Sequence, residues 1–154
     1  MLFARGIVRL GLSLAGLLIL ARPGLAEEGY RGVRTIDCSS LELIDGDSVR
    51  CDGVNMRALG HGEPDVLGYD TPEVRGRAKC KAERMLAHLA DQRAAELISH
   101  PNVVVRDSGK ADNYNRPLVW VYVSGDLTLG EVLLAEGYAI EWRPGKSANW
   151  CTKD

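Results

Sequence analysis

Acidic residues that could do chemistry are concentrated in two stretches, "IDGDS" at 44–48 and "EPDVLGYDTPEV" at 63–74. The second stretch contains one pattern twice, because "EPDV" at 63–66 is followed by "TPEV" at 71–74. Carboxylate oxygens bind hard cations and serve in acid–base catalysis. Each stretch also has an ordinary structural explanation, since Asp, Gly and Pro favour turns without any ligand. The acids predict a site only if the fold brings them together.

The N-terminus has the pattern of a secretory signal peptide. Arg5 and Arg9 precede the apolar run "LGLSLAGLLIL", and small residues lead to Ala26, which predicts a signal peptide over residues 1–26 with cleavage after Ala26. A membrane anchor is the less favoured alternative, because the run is shorter than the roughly 20 residues of a spanning helix. Residues 27–154 are therefore expected to form an exported domain, periplasmic or extracellular, without stable membrane association.

The charge of the mature chain limits its partners. The whole chain has 19 basic and 21 acidic side chains, and the signal peptide takes away three arginines and no acids, which leaves a formal charge of −5. An acidic surface repels phosphate backbones, so any nucleic-acid role must depend on a local basic pocket or a bridging cation. The length suits one domain with one core, and a monomer is expected.

Four cysteines follow the signal peptide, namely Cys38, Cys51, Cys80 and Cys151. An even number in an exported protein predicts two disulfide bonds. A structural zinc site is disfavoured because no Cys/His cluster has ligand spacing, and a catalytic thiol lacks a His in a partnering context. Four cysteines allow three pairings, and the sequence alone does not choose among them.

Hydrophobic patterning outlines the elements that must position the acids. Alternation over 41–59 predicts a three-stranded meander with turns at 45–47 and 52–53. An amphipathic helix is predicted over 78–100, with an apolar stripe that includes Ala82 and Leu89 and an end at Pro101. Two β-rich runs around the polar loop 108–115 predict a second hairpin.

A short second helix is predicted at 129–136, because Thr128 and Glu131 form a capping box and Gly137 is a typical stop. The order of three strands, helix, two strands and helix predicts an α+β fold. It matches a five-stranded Greek-key barrel of the OB type with two helices. A fold alone does not define a function.

Three motifs, "IDGDSV", "MRAL…GYDTPE" and "DNYNRPLVWV", resemble in order and character the thermonuclease family of staphylococcal-nuclease-like domains. The resemblance spans about residues 41–142 and agrees with the barrel. It implies a Ca²⁺-dependent endonuclease, a phosphodiesterase that hydrolyses single-stranded DNA or RNA to 3′-phosphorylated products. The alternative is a non-catalytic OB-fold module that binds nucleic acid or is structural and has lost turnover.

The resemblance also implies roles for individual acids. Asp47, Asp70 and the backbone carbonyl of Thr71 would hold calcium, and oxygen-only ligands suit that cation. Glu73 would activate or orient the attacking water.

Basic and aromatic roles follow from the same motifs. Arg57 and Arg116 would bind the phosphate and neutralise charge in the transition state. Tyr114 would stack on a base or bond a phosphate. Asn113 stands where the family usually has a lysine, so one phosphate contact is expected to be missing.

The resemblance favours the second copy of the doubled pattern. Five residues after Arg57, where the family has its calcium-binding acid, this chain has Gly62. The copy at 70–73 supplies Asp70, Thr71, Pro72 and Glu73 in full. This choice implies an inserted loop of about eight residues, "GHGEPDVL".

The disulfide pairing follows from the expected layout. Cys38 and Cys51 flank the first hairpin, so their strands return beside each other. Cys80 opens the long helix, and Cys151 lies in a tail that passes near the active-site rim in the family's layout. The expected bridges are Cys38–Cys51 and Cys80–Cys151.

Overall fold

A computed structural model describes residues 33–152, except residues 75 and 147. The predicted signal peptide over 1–26 lies outside the described residues. The described chain contains the strands β1 Arg34–Ile36, β2 Leu41–Asp45, β3 Ser48–Cys51, β4 Val54–Ala58, β5 Gly68–Asp70, β6 Val104–Ala111, β7 Pro117–Ser124, β8 Leu127–Thr128 and β9 Ile140–Trp142. Its helices are α1 Lys81–Ile98, α2 Leu129–Ala135 and a 3₁₀ helix at Trp150–Thr152.

The main sheet has the strand order β1-β6-β7-β4-β3-β2, and β8 pairs with β7. Its neighbours are antiparallel except for the parallel pair β4 and β7. The sheet curls into a half-barrel around the predicted meander and second hairpin, which confirms the α+β fold of OB type. The strands β1, β5, β8 and β9 were not predicted, because two or three residues are too few to show an alternating pattern.

The core lies between this sheet and the helices. Val49 of β3, Val119 and Val121 of β7 and Leu129 and Leu133 of α2 are almost fully buried. Their burial follows from sequence, since alternate residues of a strand point to the same face. The predicted hydrophobic runs therefore form the interior that holds the sheet in its curved shape.

The long helix packs on a different stripe from the predicted one. Its buried apolar residues are Ala87, Ala90, Ala94 and Leu97, whereas Leu89 is 47% exposed and Ala82 is also exposed. The period is correct and the phase is shifted by about one residue. Three alanines on the buried face let the helix backbone approach its neighbours closely, which a stripe of leucines would prevent.

The ends of the helices follow local chemistry. Cys80 is the N-cap of α1, and its sulfur accepts from the backbone N–H of Glu83, so α1 begins slightly after the predicted start. The predicted capping box of α2 is confirmed, because Thr128 and Glu131 exchange hydrogen bonds. Gly137 follows with a φ of 80°, the left-handed conformation typical of a helix stop.

The two disulfides join the expected pairs. Cys38–Cys51 has a Cα–Cα distance of 5.3 Å and links positions 13 residues apart, and Cys80–Cys151 has a distance of 6.0 Å and links positions 71 apart. Two bridges are compatible with an exported protein. Within the described residues, neither α-helix combines the length and apolar character needed to cross a membrane.

The two bridges should differ in their contribution to stability because they close loops of different length. In the chain-entropy description, Cys38→Ser should lower the unfolding free energy by about 3 kcal/mol and Cys151→Ser by about 4 kcal/mol. The two variants are matched, since each replaces a half-buried partner and leaves the packing Cys51 or the capping Cys80 in place. Urea denaturation of the wild type and both variants measures the difference. A larger loss in Cys38→Ser would contradict the ordering.

Candidate active site

The turn between β2 and β3 places two aspartates beside the second acidic stretch. Asp45 ends β2, and Asp47 follows Gly46 and is only 5% exposed. A Cβ added at Gly46 would lie 2.8 Å from the side chain of Thr71. Glycine in the "DGD" turn is therefore needed for the close approach of these two segments.

The carboxylate of Asp47 joins three segments of the chain. It accepts a hydrogen bond from Arg57 of β4 at 2.5 Å and from the Ser48 hydroxyl at 3.0 Å. Its second oxygen accepts from the backbone N–H of Thr71 at 3.2 Å. The β3–β4 register sets Ser48 opposite Arg57, so the meander itself delivers the arginine to the turn.

Arg57 also contacts the strand that carries Asp70. Its Nη2 donates to the carbonyl of Tyr69 at 2.9 Å and lies 3.6 Å from an oxygen of Asp70. Tyr69 is buried, and its hydroxyl donates to the carbonyl of Gly46 at 3.0 Å. The downstream copy of the doubled pattern thus lies beside Asp47 and Arg57.

The inserted segment between β4 and β5 forms a loop with its own attachments. The Gly62 carbonyl accepts from the indole N–H of Trp120 at 3.0 Å, and a Cβ at Gly62 would clash with the Leu67 carbonyl. Asp65, from the upstream copy, is exposed and pairs with Lys110 at 3.1 Å. The loop leaves β5 free to return to Arg57.

Arg116 approaches the same turn from the β6–β7 connection. Asp112 accepts from its Nε and Nη2, both at 2.7 Å, and its Nη1 donates to the Ser48 hydroxyl at 3.3 Å. Although burial opposes the effect, hydrogen bonds from Arg116 hold the pKa of Asp112 below its ordinary value. Tyr114 is 82% exposed, and its ring centre lies 5.6 Å from the Arg116 guanidinium carbon.

Two further residues of the site were missed in the sequence. Arg77 pairs with Glu73 at 3.0 Å and approaches Asp45 at 3.8 Å. Arg77 stands four residues after Glu73, and Asp45 belongs to the same turn as Asp47. These spacings were available in the sequence, but each is common in ordinary loops.

These side chains surround a cavity of about 400 Å³. Its lining residues are Asp45, Asp47, Ser48, Arg57, Thr71, Pro72, Glu73, Arg77, Tyr114 and Arg116. Asp70 lines an adjoining cavity of about 310 Å³, to which Arg57, Tyr114 and Arg116 also contribute. All the predicted site residues therefore line two connected cavities, with Asp70 beside the first one.

The carboxylates have less positive charge around them than they need. Burial raises the pKa of Asp47 to about 7, Arg57 counteracts this, and Asp45 and Asp70 raise it further. Burial is also the main cause of the raised pKa values of Asp70 and Glu73. A site with this imbalance favours either a proton or a cation.

The donor atoms fit a hard cation. Within the described residues, the buried Oδ1 of Asp45 has no hydrogen-bond partner, and the neighbouring ligand atoms are oxygens, as Ca²⁺ prefers. Elsewhere, Cys80, Glu83 and Cys151 place ligand atoms within 4.8 Å of one another, but the two sulfurs form a disulfide. The acids of the cavity are spaced more widely than that group, so a bound cation would draw on the Thr71 carbonyl and water as well.

The curled OB-like sheet with this acidic and basic cavity defines a nuclease-type domain. Residues 65–151, more than half of the chain, match the family model described as "Staphylococcal nuclease homologue". The chain belongs to this family, whose members are generally Ca²⁺-dependent nucleases, and the resemblance found in the sequence is confirmed. A search of curated proteins found no match. The matched segment includes Asp70, Glu73 and Arg116, whereas Asp47 and Arg57 precede it.

Metal-free protein should lose stability as the pH rises through the range in which Asp47 ionises. The pKa of about 7 in the folded protein exceeds the ordinary 3.8, so the folded state binds the extra proton between these values and stability falls with rising pH. In EGTA, this group should lower the unfolding free energy by up to about 1.4 kcal/mol per pH unit from about pH 4 to pH 7. Asp47→Asn should flatten that slope.

The matched control is Asp65→Asn, because this carboxylate is exposed and lies in the inserted loop. It should keep the wild-type slope in denaturant titrations at several pH values. Equal slopes in the wild type and Asp47→Asn would contradict the role given to the buried carboxylate.

Proposed function

We propose that the protein is a secreted Ca²⁺-dependent phosphodiesterase that hydrolyses DNA and RNA to 3′-phosphorylated products. The observation that carries the proposal is one cavity in which the carboxylates of Asp47 and Glu73 face the guanidinium groups of Arg57 and Arg116. Acids can hold a cation and activate water, and arginines can bind the phosphate. The exported state is supported by the two disulfides and the N-terminal pattern.

The cation would be held by Asp47, Asp70 and the carbonyl of Thr71. When bound, Ca²⁺ supplies positive charge to the scissile phosphate and offsets the charge of the carboxylates. It also lets an acidic protein accept a polyanion, since the local field at the site is no longer set by the acids alone. The unsatisfied Asp45 oxygen supports a cation at this turn.

Glu73 is the residue that acts on the attacking water. Its side chain is 44% exposed, so water reaches it, and its ion pair with Arg77 at 3.0 Å fixes its direction. Burial, which is only partly opposed by Arg77, raises the pKa of this carboxyl and makes it a better base. The water oxygen bonds to phosphorus, its proton passes to Glu73, and the bond to the 5′-oxygen breaks.

Arg116 and Arg57 stabilise the charge that develops on the phosphorus-bound oxygens. Asp112 holds the Arg116 guanidinium through two of its nitrogens, which leaves Nη1, now on the Ser48 hydroxyl, directed into the cavity. Arg57 is more fully engaged by Asp47 and the Tyr69 carbonyl. Arg116 is therefore the main phosphate ligand, and Arg57 chiefly orders the acids.

Tyr114 extends the site toward a nucleobase. Its exposed ring lies next to the Arg116 guanidinium, so a base could stack on it while the adjacent phosphate binds the arginine. The substrate is single-stranded, since stacking requires an unpaired base. Asn113 supplies no positive charge here, and substrate binding is expected to be weaker than with the lysine usual in the family.

Glu73→Gln and Arg116→Ala should each lower hydrolysis about a hundredfold or more without unfolding the protein, because both groups act on the reaction. The assay incubates purified mature protein with single-stranded DNA or RNA in Ca²⁺ or in EGTA. Glu63→Gln and Arg143→Ala are matched controls at exposed positions and should keep wild-type rates. Wild-type protein that binds these substrates without cleaving them would instead identify a non-catalytic binding module.

The doubled pattern gives a separate test of the cation site. Asp70→Asn should abolish the dependence of hydrolysis on Ca²⁺ concentration, because Asp70 lies beside Arg57 and Asp47. Asp65→Asn should leave it nearly unchanged, since Asp65 pairs with Lys110 in the inserted loop. Titration of the rate against Ca²⁺ in both variants distinguishes the two copies, and the reverse result would assign the site to the upstream copy.

A further inference from the structure

The end of the described chain is fastened to the start of α1. Trp150 in the 3₁₀ helix Trp150–Thr152 is only 3% exposed. Its neighbour Cys151 is bridged to Cys80, the N-cap of α1. A bridge between positions 71 residues apart fixes the indole ring in a place that local sequence cannot specify.

The Trp150 indole interacts with the carboxylate of Asp70. Burial raises the pKa of Asp70, while Arg57 and the Trp150 indole N–H, which acts as a hydrogen-bond donor, both counteract it. The nearest Arg57 nitrogen is 3.6 Å from Asp70, a loose ion pair that leaves the carboxylate direction poorly determined. The indole therefore adds a second, directional constraint on this side chain.

The same end of the chain also supports the backbone at Asp70. Asp70 is the last residue of the three-residue strand β5, and it pairs with Ile140 of β9. The chain continues from β9 to Trp150 and the bridge at Cys151. One covalently anchored segment thus touches Asp70 through its backbone and through its carboxylate.

We propose that Trp150 is a positioning residue for Asp70 and that the Cys80–Cys151 bridge keeps its indole in place, so that the carboxylate is oriented toward the cation. Naming the cation rests on the proposed function, whereas the contact between Trp150 and Asp70 does not. Groups that hydrogen-bond to a ligating carboxylate orient it, and their loss commonly weakens metal binding about tenfold to a hundredfold.

Calorimetric titration with Ca²⁺ tests the proposal without relying on activity. Trp150→Phe keeps most of the buried ring and removes the N–H, and Cys80→Ser/Cys151→Ser removes the anchor. Each should weaken calcium binding about tenfold. The combined variant should bind about as well as either alone, because both changes act through one contact.

Two controls separate this role from general damage. Trp120→Phe removes the indole hydrogen bond to Gly62 in the inserted loop, and Cys38→Ala/Cys51→Ala removes the other bridge. Both should keep the calcium affinity of the wild type. Wild-type affinity in Trp150→Phe would overturn the proposal.

A second measurement works in EGTA and needs no cation. The unfolding free energies of Trp150→Phe, Asp70→Asn and their combination should be non-additive because the two side chains interact. The same cycle with Trp120→Phe should be additive, since Trp120 bonds the inserted loop. Additivity in the Trp150 cycle would overturn the proposal. Wild-type protein that binds no Ca²⁺ would overturn the calcium site of the proposed function, and this cycle would then decide the role of Trp150 alone.

Discussion

The buried ion pair between Asp47 and Arg57 is the contact on which the arrangement of the site depends. Asp47 accepts from Arg57, from Ser48 and from the backbone of Thr71, and Arg57 reaches on to the carbonyl of Tyr69. One charged pair therefore fastens the first turn, the third strand of the meander and the segment before "TPE" together. Loss of either partner would leave an uncompensated charge in a nearly closed environment, which is strongly destabilising.

The same pair explains why the site is suited to a cation. One arginine does not balance a buried aspartate that has two further acids nearby, and the pKa of Asp47 rises to about 7 as a result. A proton and a divalent cation then compete for the same oxygens. The acidic character of the mature chain, which first argued against nucleic-acid binding, is consistent with a substrate that approaches through a bound cation and a small group of arginines.

The fold accommodates two departures from a simple OB barrel without moving the pair. The inserted loop is held by the Trp120 indole on Gly62 and by Lys110 on Asp65, and surface insertions cost little loop-closure entropy. At the other end, the Cys80–Cys151 bridge fastens an irregular segment beside Asp70. Both additions surround β5, the short strand that must bring its last residue to Arg57.

The sequence by itself determined the elements and motifs whose signals are local. Alternation placed the meander, the capping box placed α2, and the order of the motifs predicted the family that the match over 65–151 confirms. Tertiary structure decided the rest, including the phase of α1, the short strands β5 and β9, the part of Asp45 and Arg77 in the cavity, and the place of Trp150. The physical reason is that a turn or a cap depends on neighbouring residues, whereas the surroundings of a carboxylate depend on groups far along the chain.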